Sequence, residues 1–546
     1  MNTIQPTHTV ENQPPALPSY DAYRTDLPLR EALTREGADW AVPAIQAYGV
    51  LAGGEMMALG ELANRHRPQF KPFDAYGRRV DEIEFHPAYH ALMALGVGHG
   101  ITGFAWRNRD ETGAHVARAA LMYLHHQADQ GTSCPLTMTY SCVPALQHSA
   151  ELAREWLPRI VATDYDGSHS PAWDKPGNTI GMGMTEKQGG SDVRSNTTVA
   201  TPNADGMYSL VGHKWFLSAP MCDGFLVLAQ APGGLTCFLL PRFAPDGSRN
   251  AYRIQRLKDK LGDWSNASCE VEFEGALAWP VGEEGRGIAT ILQMVALTRQ
   301  DCLIGSSALM RQSLVQALHH VRHRHAFGRA LVQQPLMKNV LADLALESEA
   351  ATALTFRVAR AVDGSGRSES EAALARLTTA LGKYWVCKRA TPFVNEAQEC
   401  LGGIGYVEDT TLPRLLRQAP LNSIWEGSGN IQCLDVLRAL QREPACRQAF
   451  FDELASASGG HALLDAERNS LAAMLDSDAT MLEARSRWLA ERMALALQAS
   501  ILVRAGDAVL ADAFCESRLG MRRGLAFGTL PLSAPVDHLI ERAWQE

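Results

Sequence analysis

The sequence predicts a mostly α-helical protein with a central antiparallel β domain and a helical extension at its C-terminus. Stretches of different hydrophobic period carry this prediction. Apolar residues recur every three to four positions from Leu29 to about Leu157 and again from Ile288, whereas short β-prone runs fill residues 181–287. At 546 residues the chain is too long for a single core, so several packed units are expected.

The first unit, residues 1–180, combines an N-terminal arm with an α-helical domain. Residues 1–24 are rich in Pro, Gln and Asn, which favours an extended arm. Further on, segments such as MALGELANRH and HVARAALMYLHHQ have the spacing of helices that bury one face. Helices are therefore expected from Leu29 to about Leu157.

The second unit, residues 181–287, is the predicted β domain. Its β-prone runs are MYSLVGHKWFLS, DGFLVLAQ, GGLTCFLL, AYRIQRLK and ASCEVEF. Turn signals such as Asp205-Gly206 and Asp246-Gly247 separate them. This spacing fits a small antiparallel sandwich or barrel of roughly a hundred residues.

Two helical units follow. Residues 288–440 contain LMRQSLVQALHHVRHRHAF and LTTALGKYWVCKRA, and residues 441–546 form an Ala/Leu/Arg-rich stretch that is also helical in pattern. The predicted order is therefore helices, strands, helices and a further helical domain.

Charge and cysteine usage exclude several classes of protein. The formal net charge is −9, so nucleic-acid binding would require a local basic patch. No apolar run approaches about 18 residues, and the N-terminus lacks the pattern of a secretory signal, so a cytoplasmic protein without a membrane span is expected. The 11 scattered cysteines include no CxxC pair, which favours buried thiols over disulfides or a metal site.

Three segments carry groups with chemical potential. Glycines in Gly181–Asp192 let the backbone approach a flat or phosphorylated ligand, and Thr185 and Ser191 offer hydroxyls. GHKWFLS (212–218) lies about thirty residues later, and NSIWEGSGN (422–430) places the Glu426 carboxylate beside a tryptophan. Taken singly, the three segments can also be interpreted, in the same order, as a flexible loop, an ordinary aromatic strand, and a surface loop or helix cap.

In combination, the three segments resemble the motifs of the acyl-CoA dehydrogenase family. The first two are similar to its flavin-binding signatures, and Trp425-Glu426-Gly427-Ser428 is similar to the motif that carries its catalytic base. The resemblance implies FAD as the cofactor and Glu426 as the base. The residues implied to contact FAD are Met184, Thr185, Gly190, Ser191, Phe216, Leu217, Ser218, Ile424, Trp425, Gly427, Ser428 and Asn430.

Two further segments resemble the family's contacts to the cofactor of a neighbouring subunit. They are Arg324-His-Ala-Phe327-Gly328 and Leu401-Gly402-Gly403-Ile-Gly-Tyr406. The resemblance implies that Arg324, Phe327, Gly402 and Gly403 bind FAD across a subunit interface, so a homo-oligomer is expected. The chain departs from the family at Trp264, Pro335 and Glu399, near the adenine end of the cofactor site and the acyl-CoA tunnel.

Within the family, the chain resembles the AidB-like branch of alkylation-response flavoproteins. REGA (35–38), GMGMTEKQGGSD, NSIWEGSGN, the N-terminal arm and the extension past Leu440 carry this resemblance. It implies a FAD-binding homotetramer that binds double-stranded DNA, retains weak acyl-CoA dehydrogenase activity and protects against alkylating agents. The alternative is a true dehydrogenase of short or branched acyl-CoA thioesters with no role on DNA.

The expected chemistry requires a base for the α-proton and an acceptor for the β-hydride. The resemblance assigns the proton to Glu426 and the hydride to the flavin. Desolvation beside Trp425 is expected to raise the pKa of the Glu426 carboxyl towards the working range.

The composition of the C-terminal unit does not itself favour DNA binding. Residues 441–546 contain eleven Arg, no Lys and fifteen Asp plus Glu, which is the pattern of a solvated helical bundle. Local pairs four residues apart, Arg438 with Arg442 and Arg518 with Arg522, could still present guanidinium groups on one helix face. Arg438, Arg518 and Arg522 are therefore the expected DNA contacts.

Overall fold

The computed structural model describes residues 7–476, 479–520 and 524–545. After the extended arm, the first part of the chain is mainly helical, and Pro at the first turn of several helices suits their N-termini because proline lacks the N–H that would be unpaired there. These helices are α1 (Leu27–Arg35), α2 (Val42–Ala52), α3 (Glu55–Arg65), α4 (Pro87–Gly98), α5 (Phe104–Arg107), α6 (Ala114–Ala128), α7 (Ser133–Ser141), α8 (Val143–Leu146) and α9 (Ala150–Ile160).

A β-hairpin interrupts this first region, so the expectation of helices throughout is wrong for its residues. Strands β1 (Gln69–Phe73) and β2 (Arg79–Glu84) pair antiparallel. The turn between them forms because the Asp74 carboxylate accepts the backbone N–H groups of Tyr76 and Arg78, at 2.8 and 3.0 Å. Their period-two alternation is short, and the helical spacing on both sides of it obscured the hairpin.

The central β domain is a barrel, and its antiparallel pairs include the long β5–β9 ladder. Its strands are β3 (Ile180–Gly183), β4 (Val199–Pro202), β5 (Tyr208–Ser218), β6 (Gly224–Ala231), β7 (Gly234–Pro241), β8 (Tyr252–Leu257) and β9 (Ser268–Val281). Pairing runs β6–β4–β5–β9–β7 and returns from β7 to β6. The domain is not purely antiparallel, because β3 and β4 each run parallel to β6.

The second half of the chain is helical apart from a short hairpin of β10 (His325–Ala326) and β11 (Arg329–Ala330). Its helices are α10 (Gly287–His323), α11 (Pro335–Gly364), α12 (Glu369–Glu399), α13 (Leu412–Gln418), α14 (Gly429–Arg442), α15 (Pro444–Ala455), α16 (Ala462–Leu475), α17 (Ala479–Ala484), α18 (Ser486–Ala505), α19 (Ala508–Phe514) and α20 (Val536–Ala543). α10, α11 and α12 are the longest and pack side by side.

One apolar core joins the long helices to the C-terminal helices. Phe393 of α12 and Met493 of α18 belong to the same buried cluster. A buried ion pair between Arg542 and Glu349 adds a polar link between α20 and α11. The C-terminal region is therefore packed onto the long helices rather than tethered to them.

The cysteines follow the sequence-based expectation. All eleven are buried, and none forms a disulfide among the residues that the structure describes. Across the same residues, no helix has the length and hydropathy needed to cross a bilayer.

Candidate active site

The segment that carries Glu426 is a tight turn between α13 and α14. Glu426 has a backbone φ of +57° and Gly427 has a φ of +96°. Two successive residues in the left-handed region reverse the chain sharply, and the second of them favours glycine because a Cβ would be strained there. The glycine that follows Glu426 is therefore a requirement of the backbone.

Side chains from three helices hold this turn. The Lys383 ammonium on α12 donates to the carbonyls of Asn422, Trp425 and Gly427, at 3.0, 2.9 and 2.8 Å. Gln432 on α14 donates to the carbonyls of Glu426 and Gly427. From α10, the Arg299 Nε–H donates to the Glu426 carbonyl at 2.9 Å. The main chain of the turn is thus fixed from several directions.

The Glu426 carboxylate lies in a desolvated position. Its Oε2 accepts a hydrogen bond from the Thr298 hydroxyl at 2.7 Å. Burial raises the pKa of Glu426, although the Thr298 hydrogen bond and the positive charges of Lys383 and Arg299 oppose the rise. A carboxylate of raised pKa in a cleft is suited to accept a proton from a weak carbon acid.

The loop at the entrance of the barrel is anchored by a buried ion pair. Glu186 lies within 184–191, and its carboxylate contacts the Lys214 ammonium at 2.7 Å with both side chains fully buried. It also accepts the Thr198 hydroxyl at 2.6 Å and the Thr197 N–H at 2.7 Å. Burial would raise the pKa of Glu186, but Lys214 outweighs it and lowers the pKa to about 2.

Close packing within this loop explains one of its glycines. A Cβ at Gly190 would lie 2.3 Å from the Thr185 Oγ1, so a side chain there would displace Thr185. The Thr185 carbonyl in turn accepts the Trp215 N–H of β5 at 2.8 Å. The two predicted flavin-binding segments therefore lie side by side at one end of the barrel.

At the end of β5 the side chains divide between the barrel interior and its surface. Phe216 is 48% exposed, which is unusual for a large aromatic ring, whereas Leu217 is buried in the core of the barrel. The Leu217 side chain therefore cannot contact a cofactor, and only its main chain is available for the role predicted for it. The Ser218 Oγ is 3.0 Å from the Ser268 Oγ.

Cys134 of α7 has groups of the barrel end and of the Glu426 turn within electrostatic range. Lys260 donates to the Ser268 Oγ, which places it beside Ser218. Burial raises the pKa of the Cys134 thiol, and the nearby carboxylates of Asp263, the ion-pair partner of Lys260, and Glu426 add to this rise. The Lys260–Asp263 pair and the Glu426 carboxylate are therefore both close enough to Cys134 to act on its thiol.

A hydrophobic contact supports the same arrangement. Trp425 packs, together with Met184, against the apolar cluster that contains the barrel core and Met294 of α10. The predicted flavin contacts of the barrel and of the 424–430 turn are therefore brought into one region. Ile424, Ser428 and Asn430 are exposed on the outer side of the turn.

A cavity of about 230 Å³ lies where the N-terminal region meets the barrel. Ile83, Phe85, Tyr89, Met93 and Met221 give it apolar walls, while Lys71, His169 and Asp166 are among the polar lining groups. Pro135 also lines it, and the preceding residue is Cys134. The cavity therefore reaches the residue next to Cys134, whose thiol is within electrostatic range of Glu426.

Two other predicted cofactor residues, Arg324 and Phe327, lie far from Glu426 within one chain. Thr298 and Arg324 are separated by most of α10, which corresponds to about 39 Å at 1.5 Å per residue. Phe327, at φ +51°, is 96% exposed in the hairpin that follows α10, so the structure of one chain does not bring these two residues to the site. Gly402 and Gly403 are exposed on the surface.

The arginines predicted to contact DNA are placed differently from one another. The Arg438 side chain is 59% exposed and lies 3.8 Å from Asp435. Arg518 is buried, and it pairs with Asp343 and Glu347 of α11. Its prediction as a DNA contact is corrected, because its charge is already used in the interior. Arg522 lies outside the described residues.

Sequence reasoning missed several residues that build the site. Thr298, Arg299 and Lys383 belong to long helices, and no motif singled them out. The signal for Lys383 was present as a lysine within the otherwise apolar run TTALGKYWVC. A cation at a core position of a helix indicates a specific buried acceptor.

Models of known families match most of the chain. Residues 12–167 match the adaptive response protein AidB N-terminal domain. Residues 181–276 and 285–441 match the middle and C-terminal domains of acyl-CoA dehydrogenases. The matches follow the order of helices, barrel and helices in the structure.

Similar proteins extend over the same regions. The Escherichia coli protein AidB, whose name assigns it to the acyl-CoA dehydrogenases, is 46% identical over 95% of this chain and 96% of its own. Acyl-CoA dehydrogenase family member 11 of Caenorhabditis elegans is 32% identical over 74% of this chain and 68% of its own. The crystal structure of Caenorhabditis elegans ACDH-11 in complex with C11-CoA superposes with a TM-score of 0.86 at 27% identity, covering 97% and 96% of the chains.

Proposed function

Since the chain belongs to the acyl-CoA dehydrogenase family and to its AidB-like branch, we propose that Glu426 is the base that removes the α-proton of an acyl-CoA thioester. The family relationship makes the protein a FAD-dependent oxidoreductase of the acyl-CoA dehydrogenase type. The desolvated carboxylate of Glu426, which accepts the Thr298 hydroxyl in the turn beside Trp425, carries the proposal.

The residues at the barrel end fit a flavin. The loop has a glycine at position 190, where a Cβ would fill the space beside Thr185, so its main chain is open to a flat ring. Phe216 offers an exposed aromatic surface nearby on β5. Met184, Thr185, Ser218 and Trp425 would hold the ring. When bound, FAD supplies the acceptor for the β-hydride.

The protein's own groups control the proton. Thr298 occupies the Oε2 of Glu426, so we assign the incoming proton to Oε1. The hydrogen bonds from Lys383, Gln432 and Arg299 fix the turn, so the carboxylate meets the substrate in one orientation. Desolvation holds the pKa of this carboxyl above its ordinary value and makes it a stronger base.

The cavity beside Pro135 is proposed to receive the acyl chain. Ile83, Phe85, Met93 and Met221 give part of its wall an apolar surface that suits a hydrocarbon chain, while Lys71, Asp166 and His169 line it with polar groups. The solved relative ACDH-11, which superposes over nearly the whole chain, was crystallised with C11-CoA. An acyl group longer than a few carbons is therefore the substrate class that we propose.

Substitution of Glu426 by Gln tests the catalytic assignment. The amide keeps the size of the side chain but cannot accept the proton, so we expect acyl-CoA-dependent bleaching of the flavin to fall by at least about 100-fold. Flavin content should be unchanged. Glu369→Gln, on the exposed N-terminal turn of α12, is the matched control and should bleach like the parent protein. Unchanged bleaching in Glu426→Gln would remove Glu426 from this role.

We further propose that the protein acts in the alkylation response and binds double-stranded DNA. The likeness to AidB supports this, as do exposed arginines in the C-terminal region. Arg438 and Arg442 lie on one face of α14, and Arg485 and Arg487 are exposed near the start of α18, which packs against α14. This group replaces Arg518 as the candidate DNA surface.

Binding to duplex DNA at several salt concentrations tests this surface. Phosphate contacts release counterions, so affinity should fall steeply as salt rises. Arg438→Ala with Arg442→Ala should weaken binding and reduce the slope by about 2. Absence of binding at low salt would instead leave an acyl-CoA dehydrogenase with no role on DNA.

A homotetramer is also proposed. Large apolar side chains are exposed at the end of the bundle where α10 ends and α11 begins, among them Phe327 and Leu336 at 96% and 84%. A second copy would cover them and could bring Arg324 to its neighbour's cofactor. Native mass spectrometry tests the assembly, and a monomer at micromolar concentration would refute it. A cytoplasmic location stays a prediction.

A further inference from the structure

The backbone conformation of the Glu426 turn is energetically unfavourable, so other contacts in the fold must stabilise it. Glu426 is a non-glycine residue at φ +57°, a region that L-amino acids adopt only when their surroundings hold them there. The peptides on either side point the Trp425 and Gly427 carbonyls towards α12. Without a donor on that side, the Trp425 carbonyl would lose its hydrogen bond, and the Gly427 carbonyl would keep only the one from Gln432.

Lys383 supplies the donors. Its Nζ is within 3.0 Å of the carbonyl oxygens of Asn422, Trp425 and Gly427, so its three N–H groups match three acceptors. The side chain is 1% exposed and comes from the middle of α12, in the core of the bundle. Burying an ammonium there is unfavourable unless its contacts are specific.

The charge of Lys383 also acts on the base. Among the described residues, the hydrogen bonds of its Nζ go to main-chain carbonyls and none goes to a carboxylate. Its positive charge lowers the pKa of Glu426, against the rise caused by burial. The same lysine thus shapes the turn and keeps its carboxylate in the proton-accepting form.

We infer that Lys383 is a positioning residue of the active site, which holds the strained 422–427 turn through three carbonyls and places its positive charge near Glu426. This inference rests on the proposed role of Glu426. The Lys383 hydrogen bonds go to the main chain of the turn, so its donors act through the turn, whereas its charge acts on the Glu426 carboxylate.

Two substitutions separate the two effects. Lys383→Met keeps the length of the aliphatic stem and removes both donors and charge, whereas Lys383→Arg keeps the charge and disturbs the geometry. We expect kcat to fall by about 100-fold in Lys383→Met, because displacement of a catalytic group by about 1 Å has this effect. The acid limb of kcat/KM should move to higher pH in Lys383→Met and stay in place in Lys383→Arg.

Hydrogen exchange provides a readout that does not depend on flavin or turnover. In Lys383→Met, amides in the peptide 421–430 should exchange at least about tenfold faster, since the turn has lost three hydrogen bonds. Lys175→Met is the matched control, because Lys175 is also buried and paired, with Asp223 at 2.8 Å, but lies outside the turn. Its exchange at 421–430 should equal that of the parent protein.

The outcomes distinguish the inference from the proposed function. If the parent protein lacks acyl-CoA activity, the exchange experiment still tests whether Lys383 holds the turn. Parent-like exchange in Lys383→Met would overturn the inference, and so would an unmoved acid limb in an active protein. If Lys383→Met does not fold, Lys383→Arg carries the test: faster exchange at 421–430 with an unmoved acid limb supports the inference, and parent-like exchange overturns it.

Discussion

The Glu186–Lys214 pair gives the sharpest test of how the barrel anchors the 184–191 loop, which we propose to contact the flavin. Both side chains are fully buried, and the pair joins the 184–191 loop to β5. In Glu186→Gln, the Lys214 ammonium would remain buried and lose its carboxylate. Removing one partner of a buried pair costs about 3–5 kcal/mol, because the other charge is then left uncompensated.

The pKa of Glu186 supports a similar magnitude. Its fall from 4.5 to about 2 corresponds to about 3 kcal/mol, since one pKa unit is worth about 1.4 kcal/mol. A carboxyl whose pKa is lower in the folded state stabilises the fold above its unfolded pKa. This contribution is therefore complete above about pH 4.5 and is lost as the pH falls through about 2.

Thermal unfolding and flavin retention measure the effect. A domain of about 100 residues loses about 4–8 °C of its unfolding midpoint per kcal/mol, so a cost of about 3 kcal/mol predicts a fall of at least about 10 °C for Glu186→Gln at pH 7. The protein should also release FAD on gel filtration, because the loop is no longer anchored. Glu274→Gln, which breaks an exposed pair with Arg253 in the same domain, should change the midpoint by less than about 3 °C.

The reasoning would be refuted if Glu186→Gln unfolded within 2 °C of the parent and kept its flavin. That result would mean that Lys214 finds other acceptors, of which the Leu228 carbonyl at 2.7 Å is already one. It would also mean that the loop is held mainly by its main chain.

Three further outcomes follow from the same contacts. Thr298→Val removes the hydrogen bond to Glu426, whose pKa should rise further, so the acid limb of kcat/KM should move to higher pH; an unmoved limb would contradict the contact. Arg518→Ala leaves Asp343 without its partner, so the unfolding midpoint should fall by several degrees while the salt dependence of DNA binding stays the same. Met221→Trp fills the cavity, and KM should rise for long acyl-CoA thioesters but not for short ones; equal KM changes would place the acyl chain elsewhere.

The sequence predicted the fold class because the hydrophobic period changes twice along the chain. It did not predict the 69–84 hairpin, because its strands are short and the segments on both sides have helical spacing. The parallel pairing of β3 and β4 with β6 was also missed. Strand direction depends on how the chain crosses the barrel, and no local pattern encodes it.

For the site, motifs predicted the residues that we propose to touch ligands, but not those that support them. Glu426 and Thr185 lie in recognisable loops, because such loops need glycine and hydroxyl groups at fixed spacing. Lys383 and Thr298 come from long helices, and their roles depend on which helix faces meet. Burial also limits what a motif can predict. The Leu217 side chain lies in the barrel core, so only the main chain of this residue is available to a cofactor.

The C-terminal arginines show why residue counts mislead about binding surfaces. Arg518 and Arg542 are buried and paired with acids of α11, and Arg492 pairs with Glu467, so their charges serve the packing of helices. A net charge of −4 for residues 441–546 sums these internal pairs with the surface. An anionic partner would contact only the arginines that remain exposed, around Arg438. An arginine-rich domain can thus be acidic in total and still present a basic face, and only the three-dimensional pairing decides which arginines remain for it.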